Sequence, residues 1–263
     1  MKYIENDAAG FYCDDAKLVQ YFIAKLSDLV KNNPRALEPF RDIRRDVKDL
    51  LSEKGLQLYP TVKKTTLIYD PATDCYLKIL HPLNAKSRML FLLKNRAAFV
   101  YNISERLLSE GIKTMGVTAY GRFKKGRRPF FVVRKAAGES LYDILIRGKS
   151  TPGMETYLNV IIEVAKIHRL GYWLGDAHLS HIFVKDEQVS GIIDIDSIRR
   201  NRFFLIKNCA KDIAGLNHPE LPLTKDEKKD ILYYYLNAAG IKNEKRFLWL
   251  LKHYTERRWK GSV

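Results

Sequence analysis

The sequence predicts an α+β protein in which a small antiparallel sheet precedes a mostly helical region. Short β-rich runs separated by turn residues lie between positions 56 and 134, and segments with helical apolar periodicity follow position 140. Of the 263 residues, 46% are apolar and 11% are aromatic, which is enough for a packed core in one large domain or two small lobes. The sequence contains no internal repeat and no low-complexity segment.

The first 55 residues are predicted to form a helical extension. Apolar residues recur at helical spacing from position 14 to position 54, and Gly55 ends the second of two amphipathic helices. Because the polar faces of both helices mix the two charge signs, packing against a core is favoured over insertion into a membrane surface. The apolar positions are Leu18, Tyr21, Phe22, Leu29, Leu37, Phe40, Ile43, Val47, Leu50 and Leu51.

Residues 56–137 are predicted to form the sheet, together with one main helix over 96–110 that ends at Gly111. Turn residues 70–74 separate two of the strands. The expected strands are 56–59, 65–69, 75–80, 117–120 and 129–134. The sequence therefore predicts an N-terminal lobe with an antiparallel sheet.

Residues 138–263 are predicted to be mainly helical. Thr224 and Glu227 have the spacing of a capping box, and Gly240 stands where a left-handed residue ends a helix. The expected helices are 140–146, 154–169, 226–239 and 243–259. The result is a larger helical lobe.

Composition limits the location and the partners. With 46 Lys and Arg against 30 Asp and Glu, the net charge of +16 favours phosphate-rich or anionic membrane surfaces. Nucleic acid is an unfavoured partner, because the pattern of a zinc finger, of a basic leucine zipper or of an RNA-binding aromatic pair is absent. Three widely spaced cysteines form no CxxC pair, which favours a reducing cytoplasm.

Membrane contact is expected to be peripheral. The N-terminal residues have no apolar stretch of the kind that a secretory signal contains. The longest apolar run in the middle of the chain, Met89–Leu93, is far shorter than the roughly 20 residues that cross a bilayer.

Two acidic positions follow the helix over 154–169 at short range. Asp176 lies in the segment that begins at Gly171, and Asp194 follows the apolar Ile192 and Ile193. Phosphoryl transfer from ATP needs one carboxylate to orient or deprotonate the incoming hydroxyl and another to hold Mg²⁺ on the phosphates. A loop, a strand, a turn and a second strand of this length can aim both carboxylates at one point. Asp176 is therefore the candidate catalytic residue and Asp194 the candidate metal ligand.

The same stretch resembles the catalytic loop and metal-binding strand of the protein-kinase-like superfamily, and more closely the lipopolysaccharide kinase (Kdo/WaaP) family. That family's loop is similar to H-R-D-x-Y-x-x-H-F-L, and His181 stands five residues after Asp176. Further segments in the family's order are Gly111–Met115 with Ala119–Gly121, Ile193–Asp196 and Lys211–Leu216. The resemblance covers about residues 58–240.

The resemblance implies a protein-kinase-like bilobal fold and specific ligands. Lys78, on the third predicted strand, would bind the α- and β-phosphates of ATP, and His181 would join Asp194 in holding Mg²⁺. The turn before the second strand has no glycine, so Lys63 and Lys64 would supply charge there instead. Glu105 is the acidic residue nearest to the expected place of the lysine's partner, which Val100 occupies.

The acceptor implied by the resemblance is a heptose or Kdo sugar of the lipopolysaccharide inner core, at the cytoplasmic face of the inner membrane. Basic residues on either side of the site suit that anionic acceptor, although such runs are usually solvated surface. They are Arg199, Arg200, Arg202, Lys124, Lys125, Arg127, Arg128, Arg258 and Lys260.

Several alternatives stay open. His181 is either a metal ligand or a structural histidine bonded to loop backbone, His178 and His168 are interpreted as structural, and Asp196 is either a further carboxylate at the metal or a turn residue. A protein hydroxyl or another small molecule are alternative acceptors, because related folds serve different substrates. A catalytically silent nucleotide-binding module is the third hypothesis, and oligomeric state is not indicated.

Overall fold

The computed structural model describes residues 1–32, 38–39, 42–43, 45–61, 65–93, 95–148, 153–200, 203 and 205–260. Contacts divide the chain into two compact units. The first comprises Met1–Glu105 with Gly116–Lys135, and the second comprises Arg106–Met115 with Ala136–Val263. The predicted domain boundaries, at 55/56 and 137/138, stay a prediction.

An antiparallel sheet, seven-stranded within the described residues, forms the centre of the first unit. Its spatial order is β1-β2-β6-β7-β5-β4-β3. Lys78 lies on an inner strand, where it pairs in register with Leu67 on one neighbour and Phe131 on the other. The strands are β1 Lys2–Glu5, β2 Ala9–Cys13, β3 Gln57–Tyr59, β4 Thr65–Asp70, β5 Cys75–Leu80, β6 Val117–Phe123 and β7 Pro129–Arg134.

Strands β1 and β2 correct the sequence analysis, which assigned residues 1–55 to a helical extension. β2 pairs with β6 from Ala9 opposite Phe123 to Cys13 opposite Ala119, so residues 2–13 belong to the sheet. β2 alternates buried and more exposed positions over only five residues, and β1 has no buried residue, so neither segment gives a strong strand pattern.

Two helices of the first unit, α1 and α2, pack against one face of this sheet. α1 and α2 contribute Phe22, Leu26 and Leu51 to a core that also contains Phe11 and Phe130 from the strands. Because apolar burial is the main stabilising term in folding, this packing holds the sheet and both helices together. The helices are α1 Ala16–Asn32, α2 Arg45–Glu53, α3 Ala85–Leu93 and α4 Arg96–Ser109, whose last turn belongs to the second unit.

The predicted apolar faces of α1 and α2 are partly confirmed. Phe22, Leu29, Ile43, Val47 and Leu51 are buried. Tyr21 and Leu50 are instead 48% and 38% exposed. Tyr21 lies on the side of α1 that faces away from the buried stripe, and Leu50 lies at the edge of the buried stripe of α2. Leu37 and Phe40 lie outside the described residues.

The second unit is mainly helical, as predicted. β10 and β11 form an antiparallel hairpin, and Thr114 makes a parallel bridge to Ile192 at its end. The helices are α5 Leu141–Leu145, α6 Met154–Arg169, α7 Leu205–Leu216, α8 Lys225–Ala239 and α9 Glu244–Arg258. The short strands are β8 Glu139–Ser140, β9 Tyr172–Trp173, β10 Ile182–Lys185, β11 Gln188–Ile192 and β12 Arg199–Arg200.

Both helix-end predictions for α8 are confirmed. Thr224 accepts a bond from the backbone N–H of Glu227, whose carboxylate accepts one from the Thr224 N–H in return. Gly240 ends the helix with a φ of 67°. The α+β class, with an antiparallel sheet preceding a helical region, is confirmed as well. Within the part of the chain that the structure describes, no helix is long and apolar enough to cross a bilayer.

Candidate active site

Asp176, His181 and Asp194 come together in the second unit. One ligand atom from each lies within 4.8 Å of the others, and among the described residues they form a group suited to a metal ion. The Asp176 side chain is 62% exposed, whereas the other two residues are half-buried. Carboxylate oxygens are the donors that Mg²⁺ prefers, and a neutral imidazole also binds divalent ions. The residues therefore fit a divalent cation at this point.

The loop before Asp176 is shaped by two glycines with a φ of +83°, Gly171 and Gly175. Gly171 follows the end of α6, and a Cβ added there would meet no atom within 4 Å. At Gly175 an added Cβ would lie 2.3 Å from the Ser197 carbonyl oxygen. Only glycine satisfies both the conformation and the close approach at position 175.

His181 combines the two interpretations that the sequence left open. Its Nδ1 lies 3.0 Å from the carbonyl oxygen of Asp176. A carbonyl only accepts hydrogen bonds, so Nδ1 carries the proton and Nε2 of the neutral ring keeps its lone pair. The backbone bond thus orients the ring, in the way that protein metal sites fix an imidazole ligand.

Asp194 ends the hairpin in a left-handed conformation, with φ 60° and ψ 35°. Its Oδ2 accepts a hydrogen bond from Ser197 Oγ at 2.5 Å, and its carbonyl oxygen accepts one from the Ser197 N–H at 2.9 Å. Asp is among the residues that tolerate this conformation. The local bonds therefore fix the direction of the carboxylate.

Asp196 lies in the turn after Asp194 and outside the metal-ligating group found among the described residues. Its carbonyl oxygen accepts a bond from Arg199 Nη1 at 2.5 Å. Burial lowers the pKa of Arg199, while the charges of Asp196 and Asp194 raise it. The structure favours the turn interpretation of Asp196.

A buried hydrogen-bond network anchors the loop that carries Asp176. Asp212 Oδ2 accepts from the Leu174 N–H at 2.6 Å and lies 3.0 Å from His168 Nε2, while His168 Nδ1 lies 2.6 Å from the Tyr235 hydroxyl. Burial works to lower the pKa of His168, but the bonds to Asp212 and Cys209 raise it to about 9. The structural interpretation of His168 is favoured, and Asp212 is a loop anchor that the sequence analysis missed.

The contact of Arg258 with the loop that carries Asp176 is a second feature that the sequence analysis missed. Its Nη2 donates to the Ala177 carbonyl oxygen at 3.0 Å and lies 3.8 Å from Asp176 Oδ1. The sequence analysis had placed Arg258 only among surface cations.

His178 accepts a bond from the Ser180 N–H at 3.2 Å, which suits a structural role. Burial lowers the pKa of His178, and the charges of His181 and Arg258 lower it further.

The remaining predicted ligands lie in the first unit or outside the described residues. Lys78 is half-buried on β5, and Glu105 is exposed on α4. Burial raises the pKa of Tyr101, and the nearby carboxylate of Glu105 adds to that rise. The pairing of Lys78 with Glu105 stays a prediction. Lys63 and Lys64 lie outside the described residues.

The basic segment over 122–128 is less open than the sequence suggested. Lys124 Nζ pairs with Glu5 at 2.8 Å, Arg122 donates to the Phe91 carbonyl oxygen at 2.5 Å, and Arg128 Nη1 contacts His81 Nδ1. Three of the cations in this segment therefore have partners within their own unit. Arg202, from the second basic run, lies outside the described residues.

No protein-family model matches the sequence, and no curated protein matches it. Solved structures, by contrast, do match the chain. The chain is similar to the bifunctional kinase-methyltransferase WbdD, with 14% identity and a TM-score of 0.46 over 73% of this chain and 47% of that chain. It thus spans about half the length of WbdD.

Two further solved structures are similar to the chain. The aminoglycoside-3'-phosphotransferase of type VIII matches with 12% identity and a TM-score of 0.48, over 76% of this chain and 94% of that chain. Vaccinia related kinase 3 matches with 17% identity and a TM-score of 0.35, over 55% of this chain and 48% of that chain.

The order of elements within the chain is itself that of a protein-kinase-like fold. β5, the lysine-bearing strand of the antiparallel sheet, is followed by two helices, α3 and α4, and by two more strands of that sheet, β6 and β7. α6, the Asp176 loop and a hairpin that leads into Asp194 follow. The fold predicted from the sequence is therefore confirmed, whereas the narrower lipopolysaccharide kinase family stays a prediction.

Proposed function

We propose that this chain is an ATP-dependent phosphotransferase that acts on an alcohol group, with Asp176 as the catalytic residue. The observation that carries the proposal is the convergence of Asp176, His181 and Asp194 within 4.8 Å on a loop and hairpin that follow α6. Phosphoryl transfer depends mainly on positioning and charge, and two carboxylates with an imidazole meet both needs.

Asp176 handles the proton of the acceptor. Its carboxylate accepts a hydrogen bond from the acceptor hydroxyl, turns the hydroxyl oxygen towards the γ-phosphorus and takes up the proton as the new O–P bond forms. The bond between the γ-phosphorus and the bridging oxygen breaks, and ADP leaves with the electron pair. The 62% exposure of the Asp176 side chain gives an acceptor access to it.

Asp194 and His181 would hold Mg²⁺, which neutralises charge on the phosphates when bound. Asp194 is directed by its bond to Ser197, and His181 offers Nε2 because Nδ1 is occupied. Lys78 is the candidate for the α- and β-phosphates, with Lys63, Lys64 and Glu105 as further residues of the nucleotide side on the kinase template.

For the acceptor, we propose a heptose or Kdo sugar of the lipopolysaccharide inner core. Support comes from the order of the sequence segments and from His181 at the fifth position after Asp176. The net charge of +16 suits an acidic acceptor at an anionic membrane, with the protein on the cytoplasmic face.

A silent nucleotide-binding module is the second candidate. The segment Thr61–Thr65 has no glycine to cover the phosphates, and Val100 stands where a kinase helix has its glutamate. The presence of Asp176, Asp194 and Lys78 favours the enzyme.

The test is a phosphate-transfer assay with ATP, Mg²⁺ and dephosphorylated inner-core lipopolysaccharide. Transfer that is present in wild type and absent in Asp176→Ala supports the proposal. Transfer to a protein or to a small-molecule alcohol instead keeps the reaction and replaces the acceptor. ATP binding without turnover on any acceptor favours the silent module, and unchanged nucleotide binding in both Lys78→Ala and Asp194→Ala overturns the site.

A further inference from the structure

The end of α9 reaches the loop that carries Asp176. Arg258, the last residue of α9, donates from Nη2 to the Ala177 carbonyl oxygen at 3.0 Å. Trp259, the next residue, donates from Nε1 to the Ala214 carbonyl oxygen at 3.0 Å. The two bonds join the last helix to the loop and to α7, although 81 residues separate Ala177 from Arg258.

Gly215 of α7 leaves the space in which this contact is made. A Cβ at Gly215 would lie 2.3 Å from the Ala177 carbonyl oxygen and 3.1 Å from Cζ of Arg258. The backbone of α7 therefore approaches both partners more closely than any other residue type would allow. Such a close fit restricts the positions that the guanidinium can occupy.

Arg258 and Asp212 hold the loop on opposite sides of Asp176. Asp212, one helical turn before Gly215, binds the Leu174 N–H, and Arg258 binds the Ala177 carbonyl oxygen. The backbone on both sides of the catalytic carboxylate is thus attached to helices that are packed into the second unit.

The distance from Arg258 to the carboxylate suits a positioning role. Nη2 lies 3.8 Å from Asp176 Oδ1, beyond hydrogen-bond length, so the positive charge is close while the carboxylate oxygens keep their acceptor capacity. A misplacement of about 1 Å at a reacting group can cost about 100-fold in rate.

We propose that Arg258 is a positioning residue for Asp176, an inference that rests on the proposed function for its catalytic consequence. It fixes the Ala177 peptide and keeps the Asp176 carboxylate directed towards the acceptor hydroxyl. The last helix is therefore part of the catalytic apparatus, and Arg258 does more than add to the basic surface.

The experiment compares Arg258→Ala, Arg258→Lys and the matched control Arg257→Ala in the full chain. Arg257 is the exposed neighbour on the same helix, and its loss removes the same charge. The probes are dephosphorylated inner-core lipopolysaccharide and, in a basal ATP hydrolysis assay, water. Thermal unfolding of each variant checks that it is folded.

For Arg258→Ala we expect kcat to fall by about 100-fold while KM for ATP and the affinity for a fluorescent ATP analogue stay within twofold. Arg258→Lys should recover part of kcat, because it keeps the charge but loses the planar donor group. Added guanidinium should raise kcat of Arg258→Ala and leave Asp176→Ala unchanged. Equal kcat in Arg258→Ala and Arg257→Ala, or equal losses in kcat and nucleotide binding, would overturn the inference.

Amide hydrogen exchange separates this inference from the proposed function. Arg258→Ala should speed exchange over residues 174–181 and leave the hairpin over 182–192 unchanged, whereas Arg257→Ala should change neither. If wild type transfers phosphate to neither probe, the proposed function fails, and exchange still decides whether Arg258 holds the loop. Unchanged exchange in Arg258→Ala contradicts the inference in either case.

Discussion

The Nδ1 atom of His181 donates to the carbonyl oxygen of Asp176 across 3.0 Å, so the residue that carries the catalytic carboxylate also orients the imidazole beside it. The same bond leaves Nε2 as the nitrogen available to a metal ion. The Asp176 carbonyl thereby links the position of the candidate catalytic residue to the orientation of the candidate metal ligand His181. Changes at His181 are therefore informative about both.

Replacing His181 tests the metal assignment. His181→Ala should weaken Mn²⁺ binding at least tenfold, because the imidazole nitrogen is lost from a group whose ligand atoms lie within 4.8 Å of one another. His181→Asn should recover part of the affinity by offering an amide oxygen. Isothermal titration with Mn²⁺ measures both. His253→Ala, which changes an exposed histidine on α9, is the control, and an equal loss there would contradict the assignment.

Two substitutions at Asp194 separate the effect of its charge from the effect of its backbone conformation. Asp194→Asn should keep the stability within about 0.5 kcal/mol, because Asn also tolerates the left-handed region. Asp194→Ala should cost about 1–2 kcal/mol more through backbone strain at a φ of 60°. Both should lose Mg²⁺-dependent ATP turnover by at least tenfold. Urea denaturation and ATP turnover are the measurements, and equal stabilities of the two variants would contradict the strain argument.

Gly171 and Gly175 form a matched pair, since both have a φ of +83°. Gly171→Ala should cost about 1–2 kcal/mol through conformational strain alone. Gly175→Ala should cost a further 1–3 kcal/mol, because its Cβ would lie 2.3 Å from the Ser197 carbonyl oxygen. It should also lower turnover about 100-fold through displacement of the adjacent Asp176. Urea denaturation and turnover distinguish the two, and similar effects would show that the contact with Ser197 is unimportant.

The raised pKa of His168 predicts how the stability of the fold depends on pH. Its pKa is raised to about 9 in the folded protein, above the ordinary value of 6.5, so the protonated ring stabilises the fold below about pH 6.5. This contribution is lost as the pH rises through about 9. Thermal unfolding between pH 6 and pH 9.5 should show the decline.

Asp212→Asn removes the charge that holds the His168 proton. The variant should be less stable at neutral pH by about 3–5 kcal/mol, because a buried charge loses its partner, and the decline above pH 6.5 should be weaker. An unchanged pH dependence in Asp212→Asn would show that another group is responsible.

Sequence periodicity predicted the elements whose pattern is local. α6, α8 and α9 bury an apolar stripe, and β4 and β5 are joined by a short turn, so each can be recognised within its own window. β2 could not be recognised in this way, because β6, with which it pairs, begins more than 100 residues later. Strand pairing over such a distance leaves little trace in either segment. Among the described residues β1 pairs only with β2 and has no buried residue, so it carries no apolar alternation of its own.

The candidate site also contains residues that a local sequence pattern predicts and residues that act on it from far along the chain. Asp176, His181 and Asp194 lie within 19 positions on one loop and hairpin. The spacing predicted that the two aspartates meet, and the resemblance to the kinase family added His181 as a candidate ligand. Asp212 and Arg258 act on that loop from 38 and 81 residues beyond Leu174 and Ala177. Asp212 lies in the Lys211–Leu216 segment that matched the family pattern, but that match gave it no role, and Arg258 had no local signal that separated it from its basic neighbours.

The position of β2 beside β6 determines where the chain can be shortened safely. A fragment that starts at residue 56 would lose β1, β2 and the buried Phe11, and β6 would become an edge strand with unpaired N–H and C=O groups. An exposed edge of this kind is a template for self-association between copies. Residues 2–13 therefore cover the edge of β6, and a fragment without them is expected to self-associate, even though they lie outside the segment that resembles a kinase.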